Sequence, residues 1–370
     1  MSIQRPKVSL VLINFNYASY VGAAIKSVQI QDYQNFECLV VDNNSTDGSR
    51  EIINGYQGYD SRFRFLYLDR NLNQIGALLH VLDELTGDYV TIVDSDDVLF
   101  SNYISTHVAT HLAAPSDVAF TSSCVLEVDY AGTILTSGYD AFLSSTNVGL
   151  PLGKINSNSS DEKNSVTADC GVINYAAYIA PEKQGWHWSP GTANMHRLSL
   201  IRATRPQSKR AEYVGATDNY FMWLNHAISG SVTIHKPLSA YRNHDTNRFA
   251  SMVSMPGLQN ATMAGVNRSE IRRRDITREL VSRPEHFNSL APGQFWRLMD
   301  APATAVVKNR TSYYKNPNVI KLIEQNLLAL ISAFGENEVR ENLSERMGRK
   351  VYSDLRFRAQ NNIIAKMPPS

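Results

Sequence analysis

Four short apolar runs, each rich in branched residues, constrain this chain more than any other feature. They are Val8 to Ile13 (VSLVLI), Glu37 to Val41 (ECLVV), Phe63 to Leu68 and Tyr89 to Val93 (YVTIV). Between them, Tyr20 to Ile30, Glu51 to Tyr56 and Ile75 to Leu85 carry helical spacing. The first two apolar runs read as buried strands and the other two as strands. Strands alternating with helices imply βαβ units and a mostly parallel central sheet flanked by helices. In such a sheet ligands bind beyond the carboxyl ends of the strands. The second run ends in Asp42-Asn43-Asn44-Ser45-Thr46-Asp47-Gly48-Ser49 and the fourth in Asp94-Ser95-Asp96-Asp97. Both polar clusters are therefore expected to face one crevice.

Further along, Asp117 to Thr121, Val125 to Asp129 and Ser231 to His235 read as strands. Ser144 to Ser165, rich in Ser, Asn and Gly, reads as a mobile insertion. From about Met263 the pattern turns helical and charged. Asn316-Pro317 is a helix start, with Asn as cap and Pro in the first turn. Ile320, Ile323, Leu327, Leu330 and Phe334 then repeat in steps of three and four until Gly335. The division expected is a domain over 1–262, containing the 144–165 insertion, and a C-terminal helical extension over 263–370.

A net charge of +1 supplies no field to attract nucleic acid. Three cysteines, Cys38, Cys124 and Cys170, are widely spaced and form no zinc pattern. Reduced thiols in a cytoplasmic compartment fit that usage. The N-terminus shows no secretory leader, and no run reaches the roughly 18 apolar residues of a membrane span. Membrane contact is then expected only at the periphery, with Arg272-Arg273-Arg274 as a basic run that would also suit a solvated helix face.

The acidic clusters carry the chemistry. Oxygen ligands such as those of Asp94-Ser95-Asp96-Asp97 suit Mg²⁺ or Mn²⁺, which keep positions open for substrate phosphates. A departing diphosphate gathers charge that such an ion offsets as a Lewis acid. The plainer account is a solvated turn at a strand end; the preceding apolar strand and the βαβ setting favour the metal. Asp42 to Asp47 would suit a base and ribose, whose N–H and O–H groups need acceptors, or would simply cap a helix. After the first strand stands Asn14-Phe15-Asn16-Tyr17-Ala18-Ser19, not GxGxxG, and no GxxxxGK[ST] occurs, which argues against nicotinamide and P-loop enzymes.

Four ordered pieces, VSLVLINFNYASYVGAAIKSVQIQDY, LVVDNNSTDGS, YVTIVDSDD, and GATDNYFMWL leading to YRNHDTN, resemble the family 2 inverting glycosyltransferases over Val8 to Phe249. The resemblance implies the GT-A fold and sugar transfer from a nucleotide-diphosphate donor to a hydroxyl of a glycan or glycolipid. It implies a UDP-sugar, with a dTDP-sugar as the alternative, because Asn43 stands where the family often has an acid that reads uracil. Phe15, Asp42, Asn43, Asp94 and Ser95 become the nucleotide-side candidates. Asp96 and His244 become the metal ligands, for Mn²⁺ or Mg²⁺, while Asp97 would orient the site or cap the next helix. Asp218 matches the catalytic base of the family's Glu-Asp pair, with Thr217 in place of the Glu.

Arg242 becomes a phosphate candidate, and Asp245 to Met255 a loop over the donor. Trp186 and Trp188 fall in the acceptor-side region, where aromatic faces stack on sugars; His187 and His196 read as structural. The reaction implied is a single displacement with inversion, at the inner face of the membrane or in the cytoplasm, in bacterial surface polysaccharide synthesis. The Ile320 to Phe334 stripe would form a homodimer or pack in its own domain. Two other activities fit the same acids: a metal-dependent sugar-nucleotide phosphohydrolase or pyrophosphorylase, and a non-catalytic sugar-nucleotide binding module.

Overall fold

A computed structural model describes residues 4–136, 176–183, 185–207, 217–244, 263–304 and 310–364. The expected insertion at 144–165 and the expected donor loop at 245–255 lie outside them. Contacts divide the chain into two units. The first comprises Met1–Pro181, His187–Arg205 and Lys209–Val266; the second comprises Glu182–Trp186, Pro206–Ser208 and Asn267–Ser370.

The first unit is built on a mixed sheet. Strands β1 (Val8–Asn14), β2 (Phe36–Asp42), β3 (Phe63–Tyr67) and β4 (Tyr89–Asp94) lie parallel in the order β3-β2-β1-β4. Every residue of β1 is buried, as a strand covered on both faces requires. Helix α1 (Ala18–Gln29) covers one face with Val21, Ala24, Ile25 and Val28, packed into the same core as Leu10, Leu12 and Val40. Each such side chain, fully buried, contributes about 1.5–3 kcal/mol. Short helices α2 (Ser49–Asn54) and α3 (Asn73–Val81) connect the next strands.

Register then sets the site. Asn14 pairs with Asp42 across β1 and β2, and Ile13 pairs with Asp94 across β1 and β4. Three polar residues therefore end side by side at one edge of the sheet. After β4 come β5 (Val98–Leu99), α4 (Tyr103–Ala113), β6 (Phe120–Val128), β7 (Ile134–Thr136), β8 (Ala176–Ile179), β9 (Asn194–Arg197), α5 (Leu198–Thr204), α6 (Thr217–Ser229) and β10 (Ser231–Arg242). Strand β9 enters antiparallel between β4 and β6, and β10 lies parallel to β6. β10 pairs Ser239 and Ala240 with β5, so the end of β10 reaches the segment just after Asp97.

The two strands expected at 117–121 and 125–129 are one continuous strand, β6. The strand expected at 231–235 runs on to Arg242, with an irregular register at Pro237, which has no N–H to give the ladder. α6 turns into β10 at Gly230, whose φ of 74° and closeness to the Ile179 carbonyl, 2.8 Å from any added Cβ, leave no room for a side chain.

Trp188, expected to meet an acceptor, is wholly buried instead. Its indole N–H donates to Ser231 Oγ (2.8 Å), and its ring meets Phe120 and Trp223 edge-on. A large apolar ring with its one donor satisfied belongs to the core.

The second unit is helical: α7 (Met263–Ser282), α8 (Pro284–Leu290), α9 (Phe295–Thr304), α10 (Arg310–Tyr314), α11 (Pro317–Phe334), α12 (Glu336–Met347) and α13 (Arg349–Ile364). Asn316 caps α11 by accepting from the Asn318 N–H (2.9 Å), with Pro317 at its start. The buried stripe is Val319, Ile323, Leu327 and Leu330, so Val319 takes the place expected for Ile320. Phe334 packs against Phe295 with centroids 4.6 Å apart. The stripe is thus covered within its own chain, which removes it as a dimer surface. Asp300 organises this unit: it accepts from Arg310, Arg346 and the Tyr314 hydroxyl. Arg346 is itself buried and also reaches the carbonyls of Trp296 and Asn342.

Three buried histidines lie between α4 and the sheet. His107 Nδ1 meets Thr121 Oγ1 (2.7 Å) and His111 Nε2 meets the Met195 carbonyl (3.0 Å). Tyr89, Tyr103 and Phe120 stack on His111, His107 and His196. The second ring nitrogens of His107 and His111, and Nδ1 of His196, find no partner among the described residues. Burial holds all three rings neutral, and those of His111 and His196 are pushed down to about 3; Arg197 adds to the effect at His111. The unfolded chain, with histidines near 6.5, takes up protons that the folded one refuses. Stability is therefore complete above about pH 6.5 and is lost as pH falls toward 3. We expect the urea midpoint to drop between pH 7 and pH 5, above the range where carboxylates titrate, and His196→Phe to flatten that drop; a midpoint equal at both pH values would contradict this.

Candidate active site

The site is assembled at the carboxyl edge of the parallel strands. Asp42 is wholly buried and its carboxylate holds the turn that follows it: Oδ1 accepts from Asn14 Nδ2 (3.2 Å), and Oδ2 accepts from the Ser45 N–H (3.1 Å) and Arg50 Nε (2.7 Å). Asn43 is buried too. Its amide donates to Asn71 Oδ1 (3.0 Å) and the Asn73 carbonyl (3.3 Å), and its oxygen accepts from the Leu72 N–H (2.8 Å). Both were expected to touch a nucleotide. Their polar atoms are instead committed to shaping the loops after β2 and β3, since a buried carboxylate or amide must find partners inside. Phe15, in contrast, stands 37% exposed at the end of β1.

Asn16, Asn44 and Asn73 all adopt left-handed backbone, with φ of 59°, 67° and 58°. Asparagine tolerates that region better than other residues bearing a Cβ. The three lie just beyond β1, beyond β2 and at the start of α3, where the chain must turn sharply away from the sheet.

The acid turn after β4 divides its work. Asp94 is half-buried, and its N–H donates to Thr192 Oγ1 (3.0 Å). Gln74 Nε2 donates to its Oδ1. Its other oxygen lies against Gly191, where an added Cβ would come within 2.5 Å of it. Ser95 is buried, and its hydroxyl finds no partner among the described residues. Asp97 is enclosed: it accepts from the Arg242 N–H (3.2 Å) and hydrogen-bonds the Thr192 hydroxyl. Burial, then the nearby charges of Asp96 and Asp94, push its carboxyl well above the usual range.

Asp96 faces His244, with Oδ2 3.2 Å from Nε2. The His244 ring is held by Tyr20 and Tyr17, at centroid distances of 4.8 and 5.4 Å. Among the described residues no three His, Cys, Asp or Glu side chains converge as a metal cage. A carboxylate and an imidazole on one crevice wall nevertheless fit a divalent cation of the Mn²⁺ or Mg²⁺ kind, whose remaining positions go to water and substrate phosphates.

Arg242 was expected to meet phosphate. It is buried, with Nε donating to the Asp96 carbonyl (3.0 Å) and Nη1 to those of Asp129 (3.2 Å) and Tyr130 (3.1 Å). Its guanidinium also lies 5.0 Å from the centre of the Tyr20 ring. Its planar fork ties the acid turn to the β6–β7 hairpin, so it acts as scaffold.

Asp218 sits in the first turn of α6. Its Oδ2 accepts from the Gly191 N–H (3.4 Å) and its Oδ1 from the Asn219 N–H (2.6 Å). Gly191 thus touches Asp94 with its α-carbon and Asp218 with its amide, which brings the two acids to one place. Trp186 falls in the second unit. Sequence reasoning missed Gln74, Gly191, Thr192, Tyr17, Tyr20 and Arg50. Only Gly191, in a Pro-Gly-Thr turn, carried a local signal, and that signal speaks of a turn and not of a site.

Residues 9–133 match the family model described as Glycosyl transferase family 2. Among curated proteins, a GalNAc(5)-diNAcBac-PP-undecaprenol beta-1,3-glucosyltransferase of Campylobacter jejuni is 36% identical over 103 residues, 27% of this chain and 33% of that protein. The glycosyltransferase GlyG of Streptococcus pneumoniae is 34% identical over 99 residues, 27% of this chain and 33% of its own. The chain thus spans about a third of the length of these relatives. A crystal structure of S. aureus TarS residues 1–349 shares the fold at 14% identity and a TM-score of 0.50, covering 95% of this chain and 91% of that one. The likeness to that structure is one of fold, the GT-A type. The match to the family 2 model covers residues 9–133 of the 370.

Arg242→Lys separates scaffold from phosphate reader without any ligand. A single ammonium cannot reach three carbonyls in a planar fork. We expect a loss of about 1–3 kcal/mol, the usual cost of buried groups left unpaired, seen as a lower urea midpoint of the ligand-free protein. An unchanged midpoint would return Arg242 to the crevice.

Proposed function

We propose that this chain is an inverting glycosyltransferase that moves a sugar from a nucleotide-diphosphate donor, with UDP as the leading base and dTDP as the alternative, to a hydroxyl of a glycan or glycolipid. One observation carries the reading: Gly191 joins Asp94 and Asp218, so a nucleotide-side acid and a carboxylate fit to be a base share one crevice wall. Two relatives are named as transferases acting in glycan assembly or simply as glycosyltransferases, and the S. aureus protein was solved with UDP. The division of the chain into a catalytic part over 1–262 and a helical extension over 263–370 belongs to the same proposal.

In this reading the donor lies over the edge of β1, β2 and β4, with the base near Phe15 and the loops that Asp42 and Asn43 shape, and the ribose near Asp94 and Ser95. Asp96 and His244 would hold Mn²⁺ or Mg²⁺, which would supply the positive charge that a leaving diphosphate requires. Asp218 accepts the proton of the acceptor hydroxyl as that oxygen attacks the anomeric carbon. The bond from the anomeric carbon to the diphosphate breaks on the opposite side, and the configuration inverts. The Gly191 N–H keeps the Asp218 carboxylate turned into the crevice. Trp186 remains a candidate to stack on an acceptor sugar. No helix among the described residues is long and apolar enough to cross a membrane.

A thermal-shift series with UDP, dTDP and GDP, each with and without Mn²⁺, tests the donor side. We expect one nucleotide to raise Tm, and to do so more strongly with the metal. Asp218→Asn should keep that shift and lose sugar transfer by a factor of roughly 10²–10⁴, the usual worth of a general base. No shift with any of the three nucleotides would end the proposal, and transfer at the wild-type rate by Asp218→Asn would end the assignment of the base.

A further inference from the structure

Gln74 lies between two parts of the site that the chain supplies far apart. It opens α3, 20 positions before Asp94 and 143 before Thr217. Its Nε2 donates to Asp94 Oδ1. Its Oε1 accepts twice from Thr217, from the N–H and from the hydroxyl, both at 2.8 Å. The amide has only one workable orientation. An ionised carboxylate can only accept and a backbone N–H can only donate, so nitrogen must face Asp94 and oxygen must face Thr217. Glutamate would set a second carboxylate against Asp94, and methionine would fill the space with no bond to either side.

Thr217 begins α6, and the first N–H groups of a helix have no partner within it. Gln74 supplies that partner from outside and so fixes the first turn of α6. Asp218 is the next residue in that turn. Its carboxylate direction depends on where the turn sits, because it must meet the Gly191 N–H on one side and the Asn219 N–H on the other.

We infer that Gln74 is a positioning residue that couples the donor-side acid Asp94 to the base Asp218 through the first turn of α6. The inference rests on the proposed function, in which Asp218 takes the acceptor proton. Gln74 touches neither sugar nor phosphate in this role. It holds the base at its working distance from the anomeric carbon only while Asp94 is in its donor-binding place. A displacement of about 1 Å in such a group is worth up to about 10²-fold in rate.

The test uses the full chain with Mn²⁺ and a panel of UDP-glucose, UDP-galactose and UDP-N-acetylglucosamine. Water serves as acceptor, and UDP release is followed across pH. UDP affinity and the fraction of competent protein come from titration with UDP and Mn²⁺. For Gln74→Met we expect the plateau rate to fall roughly 10- to 100-fold and the acid limb of the pH profile to move, with Tm and UDP affinity close to wild type. Gln74→Glu should in addition weaken UDP, because it opposes Asp94. Thr217→Ser, which keeps both donors, should retain the wild-type rate. Thr217→Val should lower it, and adding that change to Gln74→Met should cost little more, as expected for residues acting through one contact. Wild-type rate and profile in Gln74→Met, beside an inactive Asp218→Asn, would overturn this inference alone. A rate that falls only in step with competent protein would also overturn it, in favour of a purely structural role. Full release by Asp218→Asn would overturn the base assignment and this inference with it, and absence of UDP release by the wild type, with no Tm shift from UDP, dTDP or GDP, would overturn the proposed function as well.

Discussion

The hydrogen-bond register of three parallel strands is the constraint on which the rest of the first unit depends. Asn14 opposite Asp42, and Ile13 opposite Asp94, bring the polar ends of β1, β2 and β4 level. A slip of one residue would turn each strand's side chains to the opposite faces. The fully buried pattern of β1 makes that slip costly, because polar Ser9 and Asn14 occupy places prepared for them. Asn14 in particular donates to both Asp42 and Ser45, so the same side chain that ends one strand fixes the turn after the next.

Around that edge the polar residues fall into two groups with different physical duties. Asp42, Asn43, Asp97 and Arg242 are enclosed and spend their donors and acceptors on loops and turns. Phe15, Asp94, Asp96, His244 and Asp218 form the second group: Phe15 is exposed, Asp94 and Asp218 are half-buried, and Asp96 and the His244 ring are nearly enclosed against each other. The first group is what keeps the second in place: Arg242 holds the carbonyl of Asp96, while Tyr20 lies against both Arg242 and the His244 ring. Charge is concentrated here against a burial cost, and that cost is offset by backbone dipoles and planar guanidinium contacts, not by opposite charges alone.

The parallel half of the fold was legible because its signals are local. Buried strands and their turn clusters occupy consecutive residues, and Asn316-Pro317 announces a helix start in two letters. The acid cluster after β4 was legible as a strand-end turn for the same reason. What escaped was non-local. Nothing near Trp188 tells that its ring fills a core beside Phe120, because the partner strand lies far away in sequence. Arg242 read as a phosphate candidate, and only the fold shows three carbonyls arranged around it. Gln74 carries no motif at all; its meaning comes from Thr217, which meets it only after β4 and α6 are both in place. β9 is four residues long, too short for periodicity to reveal, yet it sits in the middle of the sheet.

The reversed strand β9 separates β3-β2-β1-β4 from β6, β10 and β5, and the family match extends to both sides of it, since β5 and β6 also fall within residues 9–133. The turn that leads into β9 and the helix that carries Asp218 lie beyond the matched stretch. In the proposed function, most donor-side residues therefore lie within the matched stretch and the base lies outside it. Chimeras joined between β7 and β9 follow that boundary.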